Sequence, residues 1–293
     1  MNQKRDTTME QKAVVIVGAG GKMGARAADK IGLQSGYRVL MCESNAGKAK
    51  ELEGKGFTVT PLAEALGLAD FVVLAVPDAV IGRIAREAVP QMKPGATLIM
   101  LDAAAAYIGE LSSREGITQM IAHPCHPPFF TDNPTPEERR DYFGGIARQD
   151  LIVSLIEGSR ESLEEGTQLC RAIFAPVGSA HEVTPQQFAF LEPAMSEMLI
   201  GTAARLMKEA VDEAIARGVP AAAARSFAAG HVQIALAIWF EAEKSPFSDA
   251  AELAMSWGMR EIIRPDWKKA YEPETLRSAI RYMLHSGGEA ASS

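Results

Sequence analysis

The sequence predicts an α/β fold, with a parallel sheet in its first half and an all-helical second half. Three observations carry this. Short β-branched runs alternate with segments of helical spacing up to about residue 183. The runs are apolar throughout rather than alternating, as strands buried on both faces of a sheet must be. From Thr184 the strand patterns stop and four helical segments follow. The expected domains are therefore 1–183 and 184–293.

The first run, AVVIV (13–17), leads at once into GAGGKMG (18–24) and then into ARAADKIGLQ, which has helical spacing. Gly18, Gly21 and Gly24 stand three apart, and Gly20 adds a fourth glycine. Such a turn needs bare backbone, so that phosphates can approach the amide N–H groups at a helix start. A glycine pattern alone is weak, but its place between a strand and a helix strengthens it. Gly18, Ala19, Gly20, Gly21, Lys22, Met23 and Gly24 are thus the expected phosphate cradle of a Rossmann-type dinucleotide-binding domain.

YRVLMC (37–42) is the next strand, and Glu43 follows it about 20 residues past the glycines. A carboxylate there bonds ribose hydroxyls and repels a 2′-phosphate, which favours NAD. Ser44, Asn45 and Lys48 leave NADP open. FTVT (57–60), FVVLAV (71–76), ATLIML (96–101), ITQMIA (117–122) and DLIVSLI (150–156) complete the strands. AGKAKELEGKG, DAVIGRIAREAV and Tyr107–Glu115 read as helices between them. Val76, Pro77 and Asp78 close the FVVLAV strand, at the carboxyl end where a cofactor cleft forms.

In the second half, Thr184 and Pro185 open a long helical run that ends at Gly218 before Pro220. Pro193 inside it should kink it or mark a junction. The next helix carries His231, Val232, Ile234, Leu236, Ile238, Trp239 and Phe240 and is apolar on nearly all sides. It must be buried, and four helices offer little interior, so a homodimer is expected. SDAAELAMSWGMREIIR and PETLRSAIRYMLH are further helices, and the tail GGEAASS should be disordered.

A length of 293 residues suits two domains, and the net charge of −7 without a basic cluster argues against nucleic-acid partners. Three scattered cysteines make no disulfide framework and suit a reducing cytosol. The polar start MNQKRDTTMEQK is no signal peptide, and the apolar run IALAIWF is too short to span a bilayer. A cytoplasmic protein without membrane partners is expected.

The glycine loop, Val76-Pro77-Asp78 and the helical second half resemble the 6-phosphogluconate and β-hydroxyacid dehydrogenase superfamily from about Lys12 to about Leu284. HPCHPPFF (123–130) and LEPAMSEM (191–198) resemble, more narrowly, the D-apionate oxidoisomerase group. The resemblance implies NAD-linked oxidation of a branched sugar acid coupled to migration of a carbon group. A simple NAD(P)-dependent dehydrogenase of the β-hydroxyacid or prephenate type is the alternative, and an NAD-sensing or scaffold protein is the non-enzyme one. The chain departs from the wider superfamily. ATLIML runs into Asp102 and AAAAY instead of a serine motif, and Lys208 is followed by Asp212 instead of an asparagine. The lysine mechanism of β-hydroxyacid dehydrogenases is therefore not carried over.

The stretch AHPCHPPFF raises a question of chemistry. His123 and His126 sit in a loop stiffened by Pro124, Pro127 and Pro128, at the expected carboxyl end of a strand. The bland reading is a strand cap and a surface histidine; the functional reading is a pair of imidazoles held still for catalysis. Alcohol oxidation needs a base and a group to hold the developing oxyanion. Shifting a carbon group beside a carbonyl needs two oxygens polarised together, which suits a divalent cation, with zinc one candidate. His123 and Glu192 are the expected ligands, Glu197 and His126 the reserves, and Cys125 is more simply a buried residue. Glu192 also fits as a carboxylate favoured near a helix start. Arg264, Lys268 and Lys269 of RPDWKK, or Arg139 and Arg140 of the insertion TDNPTPEERRDYFGG, are the cations available for a substrate carboxylate. That insertion has the composition of a loop able to close over a site.

Overall fold

The structure is a computed structural model that describes residues 11–32, 36–131 and 135–285. The expectations for the N-terminal stretch and for the GGEAASS tail lie outside the described residues. The chain divides into two compact units. The first runs to Ala189, without Phe129–Asp132, and takes up the chain again from Ile280; the second is Phe190–Ala279 with Phe129–Asp132. The division falls inside the long helical run rather than at its opening.

In the first unit the order is β1 (Lys12–Val17), α1 (Lys22–Ile31), β2 (Tyr37–Cys42), α2 (Ala46–Gly54), α3 (Leu62–Leu66), β3 (Phe71–Leu74), α4 (Asp78–Ala88), β4 (Thr97–Met100), α5 (Ala104–Tyr107), β5 (Thr118–Pro124), β6 (Gln149–Glu157), α6 (Arg160–Ile173), β7 (Val177–Glu182) and α7 (Pro185–Ala189). The strands form one sheet in the order β2-β1-β3-β4-β5-β6-β7. Alternate residues of each strand feed opposite layers, as the pleat requires. Val15, Val17, Val72, Leu74 and Leu98 pack with Ile81 and Ala85 of α4. Val14, Ile16, Val73, Ile99 and Met120 pack with Ala27 and Ala28 of α1 and Leu169 of α6.

Four sequence expectations are corrected. The sheet is not wholly parallel, because β6 runs antiparallel to β5. Parallel pairing needs a crossover, and between these strands the described chain holds only a 3₁₀ turn, Glu138–Arg140. FTVT is no strand and makes only the bridge Met41↔Val59 beside β2. Of the expected helix Tyr107–Glu115 only Tyr107 is helical; the helix uses the alanines of Ala104–Tyr107 and stops before Gly109, at φ 78°. β7, with the half-exposed sequence VGSAHE, lacks the apolar run that betrays the inner strands.

The second unit opens with a π-helical stretch, Phe190–Gly201, that continues into α8 (Thr202–Ala216). Pro193 lies in the π stretch. Proline has no N–H for an i→i−4 bond and its ring crowds the carbonyl one turn back, and the wider turns of the π stretch accommodate it. Next come α9 (Ala221–Trp239), α10 (Asp249–Glu261) and α11 (Pro273–His285), whose end returns to the first unit. Helix α9 has 19 residues and is long and apolar enough to cross a membrane by length and composition alone. That corrects the bilayer expectation: the alanines ahead of His231 extend the apolar run. Nor is α9 buried within one chain, since Phe227 is 68% and Trp239 67% exposed.

Candidate active site

The glycine loop is held by steric necessity. Gly18 turns at φ 78°, and its N–H and that of Ala19 both donate to the Cys42 carbonyl, at 2.8 and 3.2 Å. A Cβ on Gly18 would strike the Ala75 carbonyl, and one on Gly24 the Gly18 carbonyl. Both neighbours are backbone and cannot yield, so only glycine lets α1 start this close to β1 and β3. At Gly20 a Cβ would meet Glu43 Oε2 at 2.8 Å. The Glu43 carboxylate accepts the Gly20 N–H and the Asn45 N–H, each at 2.8 Å. It lies against the cradle, with lone pairs to spare for further donors.

The carboxyl ends of β3, β4 and β5 bring together four titratable side chains. Pro77 caps α4 and Asp78 is its first residue. Loss of water around Asp78, with the charge of Asp102 nearby, pushes its carboxyl up to about 6, although the side chain keeps solvent contact. Asp102 is buried and accepts the Ala104 N–H at 2.6 Å. His123 lies within β5, paired with Ile152, and so does not follow the strand as expected. Its Nδ1 is 2.7 Å from the Leu101 carbonyl. A carbonyl only accepts, so Nδ1 carries the proton and the lone pair of the neutral ring is on Nε2. Burial holds the His123 pKa below the ordinary value, against the bond to Leu101, which favours the charged ring. The ring meets Phe188 and His126 edge-on, with centroids 6.4 and 6.0 Å apart. His126 adopts φ 61° and its Nδ1 lies 3.3 Å from the Phe143 carbonyl.

Glu192 belongs to the second unit, on the π stretch, half-buried with one carboxylate oxygen shielded from water. Glu197, on the same stretch, is exposed. Cys125 is exposed, not buried, with its N–H on the Asp150 carbonyl. Arg264 and Lys269 are paired with Asp266, at 3.3 and 2.6 Å. Among the described residues no three or more His, Cys, Asp and Glu side chains gather as metal ligands. Asp102 was not among the expected site residues, and an acid directly after a strand's carboxyl end was the available hint.

The cradle on this sheet, followed by a helical half, defines an NAD-binding oxidoreductase. Residues 1–102 match the NAD-binding domain of D-isomer specific 2-hydroxyacid dehydrogenases, and residues 131–284 match the C-terminal domain of decarboxylating phosphogluconate dehydrogenase. The chain belongs to the D-apionate oxidoisomerase family within that wider group. It is 41% identical over 275 residues to the D-apionate oxidoisomerase of Cupriavidus necator, covering 93% of this chain and 99% of the relative. The Blautia hydrogenotrophica enzyme is 40% identical over 281 residues, covering 94% and 98%. A solved structure from Cupriavidus necator, described as a semialdehyde dehydrogenase NAD-binding protein in complex with calcium and NAD, matches with a TM-score of 0.89 at 40% identity, over 93% of this chain and 99% of that one.

Proposed function

We propose that this NAD-dependent enzyme oxidises a branched sugar acid of the D-apionate type and couples the oxidation to migration of a carbon group. The supporting observation is the fixed tautomer of His123 near the carboxyl end of β5, in the same parallel run of strands that carries the glycine loop. Bound NAD supplies the two-electron acceptor. The bare turn Gly18–Gly21, whose own N–H groups are engaged within the fold, would leave room for its pyrophosphate at the amides of Lys22–Gly24; Glu43 would bond its ribose, and Val76, Pro77 and Asp78 would line its further course. His123 takes the hydroxyl proton at Nε2, and His126 orients the substrate beside it.

An alternative within this reading gives His123 Nε2 to a divalent cation, with Glu192 as the other ligand; the same lone pair then ligates instead of taking the proton. Such an ion would polarise two neighbouring oxygens during the carbon shift. The donor set suits it, because burial keeps His123 neutral and its Nδ1–H is already committed. The Cupriavidus structure described with calcium and NAD adds support. Without a metal, His123 keeps the role of general base through the same Nε2.

The partners are a small sugar acid and a second copy of the chain, in the cytoplasm. The groove between α8 and α9, about 620 Å³ and lined by Met207, Val211, Phe227 and Leu236, suits an apolar helix face from that copy. Product analysis tests the reaction. D-apionate and NAD⁺ should give NADH and a product with an altered carbon skeleton; an unaltered skeleton would leave a simple dehydrogenase.

A further inference from the structure

We propose that Phe143 is a positioning residue that couples the cofactor helix to the histidine loop. This rests on reading His126 as part of the reacting centre. The Phe143 carbonyl accepts from two directions: Arg26 Nη1 of α1 at 2.6 Å and His126 Nδ1 at 3.3 Å. The Phe143 ring repeats the bridge. It lies under the Lys22 ammonium, 2.8 Å from the centroid, and edge-on to the His126 ring at 5.8 Å. Lys22 is itself a cradle residue.

The segment around Phe143 is built to be stiff. Asp141 Oδ2 accepts the N–H groups of Ile146 and Ala147, both at 2.8 Å. Lys30, two turns along α1 from Lys22, donates to the Gly145 carbonyl at 2.8 Å. Gly144 turns at φ 83°, so close to Gln149 that a Cβ would lie 2.6 Å from its amide nitrogen. Gln149 is buried and donates to the Phe174 carbonyl at 2.9 Å, which Arg26 Nη2 also approaches.

His126 needs such a support. It is not glycine, yet it holds a left-handed φ, and it precedes Pro127, whose ring restricts it further. A side chain in that conformation is kept there by its surroundings. With the His123 ring, the Phe143 carbonyl and ring make up those surroundings, and the two Phe143 contacts are shared with α1. A phosphate filling the cradle draws on Lys22, so the ring that Lys22 covers, and His126 behind it, respond.

The experiment uses ADP, which has phosphates for the cradle but no nicotinamide to touch the histidines directly. Histidine ring resonances are followed by NMR, with His126 assigned from His126→Gln, and ADP binding is measured by calorimetry. ADP should shift the His126 resonance in the unmodified protein and in Phe143→Tyr, which keeps the ring. In Phe143→Leu the shift should fall by at least half, while ADP affinity changes less than about twofold. Turnover should drop about tenfold in Phe143→Leu at an unchanged KM for NAD, and return in Phe143→Tyr. ADP binding with His126 unmoved in the unmodified protein, or an undiminished response in Phe143→Leu, overturns the coupling and leaves the cofactor site standing. Failure of ADP to bind overturns both.

Discussion

His123 gives its Nδ1 proton to the Leu101 carbonyl at 2.7 Å, and this one bond decides which face of the ring can do chemistry. Nε2 is the basic atom, and the neutral ring is the working form. Burial lowers the His123 pKa from its ordinary 6.5, so the neutral form persists to lower pH than in a free imidazole. The acid limb of kcat/KM for the free enzyme should therefore lie below 6.5, with activity falling as pH drops through it. His123→Ala should lower turnover at least about 100-fold while NAD affinity stays nearly intact, because the cradle stands on β1 and α1. Steady-state kinetics from pH 5 to 9 with a fluorescence titration of NADH checks both.

Glu43 bridges the Gly20 and Asn45 amides, and the role proposed for its carboxylate is to bond the NAD ribose. Glu43→Ala should weaken NAD binding about tenfold and narrow the preference over NADP. Comparing dissociation constants for the two cofactors tests this, and a native preference for NADP would contradict the role given to the carboxylate.

Asp78 offers a stability test. Its folded pKa, about 6, lies above the ordinary 3.8, so the folded state holds the proton more tightly than the unfolded one. The contribution to stability is fully present below 3.8 and is lost as pH rises through about 6. Asp78→Asn removes the charge that burdens the folded state at high pH. It should raise the melting temperature at pH 8 relative to pH 4, by about 2 °C given the solvent contact of the side chain. Equal shifts at the two pH values would place the effect elsewhere.

The proposed metal site predicts loss of activity with a chelator and its return with a divalent ion. Glu192→Gln and His123→Ala should not add, because each empties the same site. Full activity in metal-stripped enzyme would leave His123 as the proton carrier alone.

The parts of the fold legible in the sequence are those fixed by local pattern. β1, β3 and β4 are buried on both faces and almost wholly apolar because helices cover both, and the glycine spacing follows from backbone collisions around Gly18 and Gly24. The direction of β6 was not legible, since it depends on the path of the chain after His126 and not on the residues of the strand. β7 sits at the sheet edge, where half its side chains face water and the pattern fades. The grouping of Asp78, Asp102 and His123 arises from the order of strands in the sheet. Their spacing along the chain carries no trace of it. The bond between His126 and Phe143, 17 residues apart across an insertion, is of the same kind.

Helix α9 supplies the last prediction. Phe227, Ile234 and Trp239 are exposed on a helix with few polar residues, beside the apolar groove that α9 forms with α8. So large an apolar surface on one chain invites cover, and an isologous pair of helical faces would bury the same residues from both copies. Light scattering at micromolar concentration should therefore give twice the monomer mass. Phe227→Asp places a charge in the groove and should shift the population towards monomer. A monomeric unmodified protein would show that one chain tolerates this surface bare. Partition of the unmodified protein into vesicles would instead assign α9 to a lipid surface.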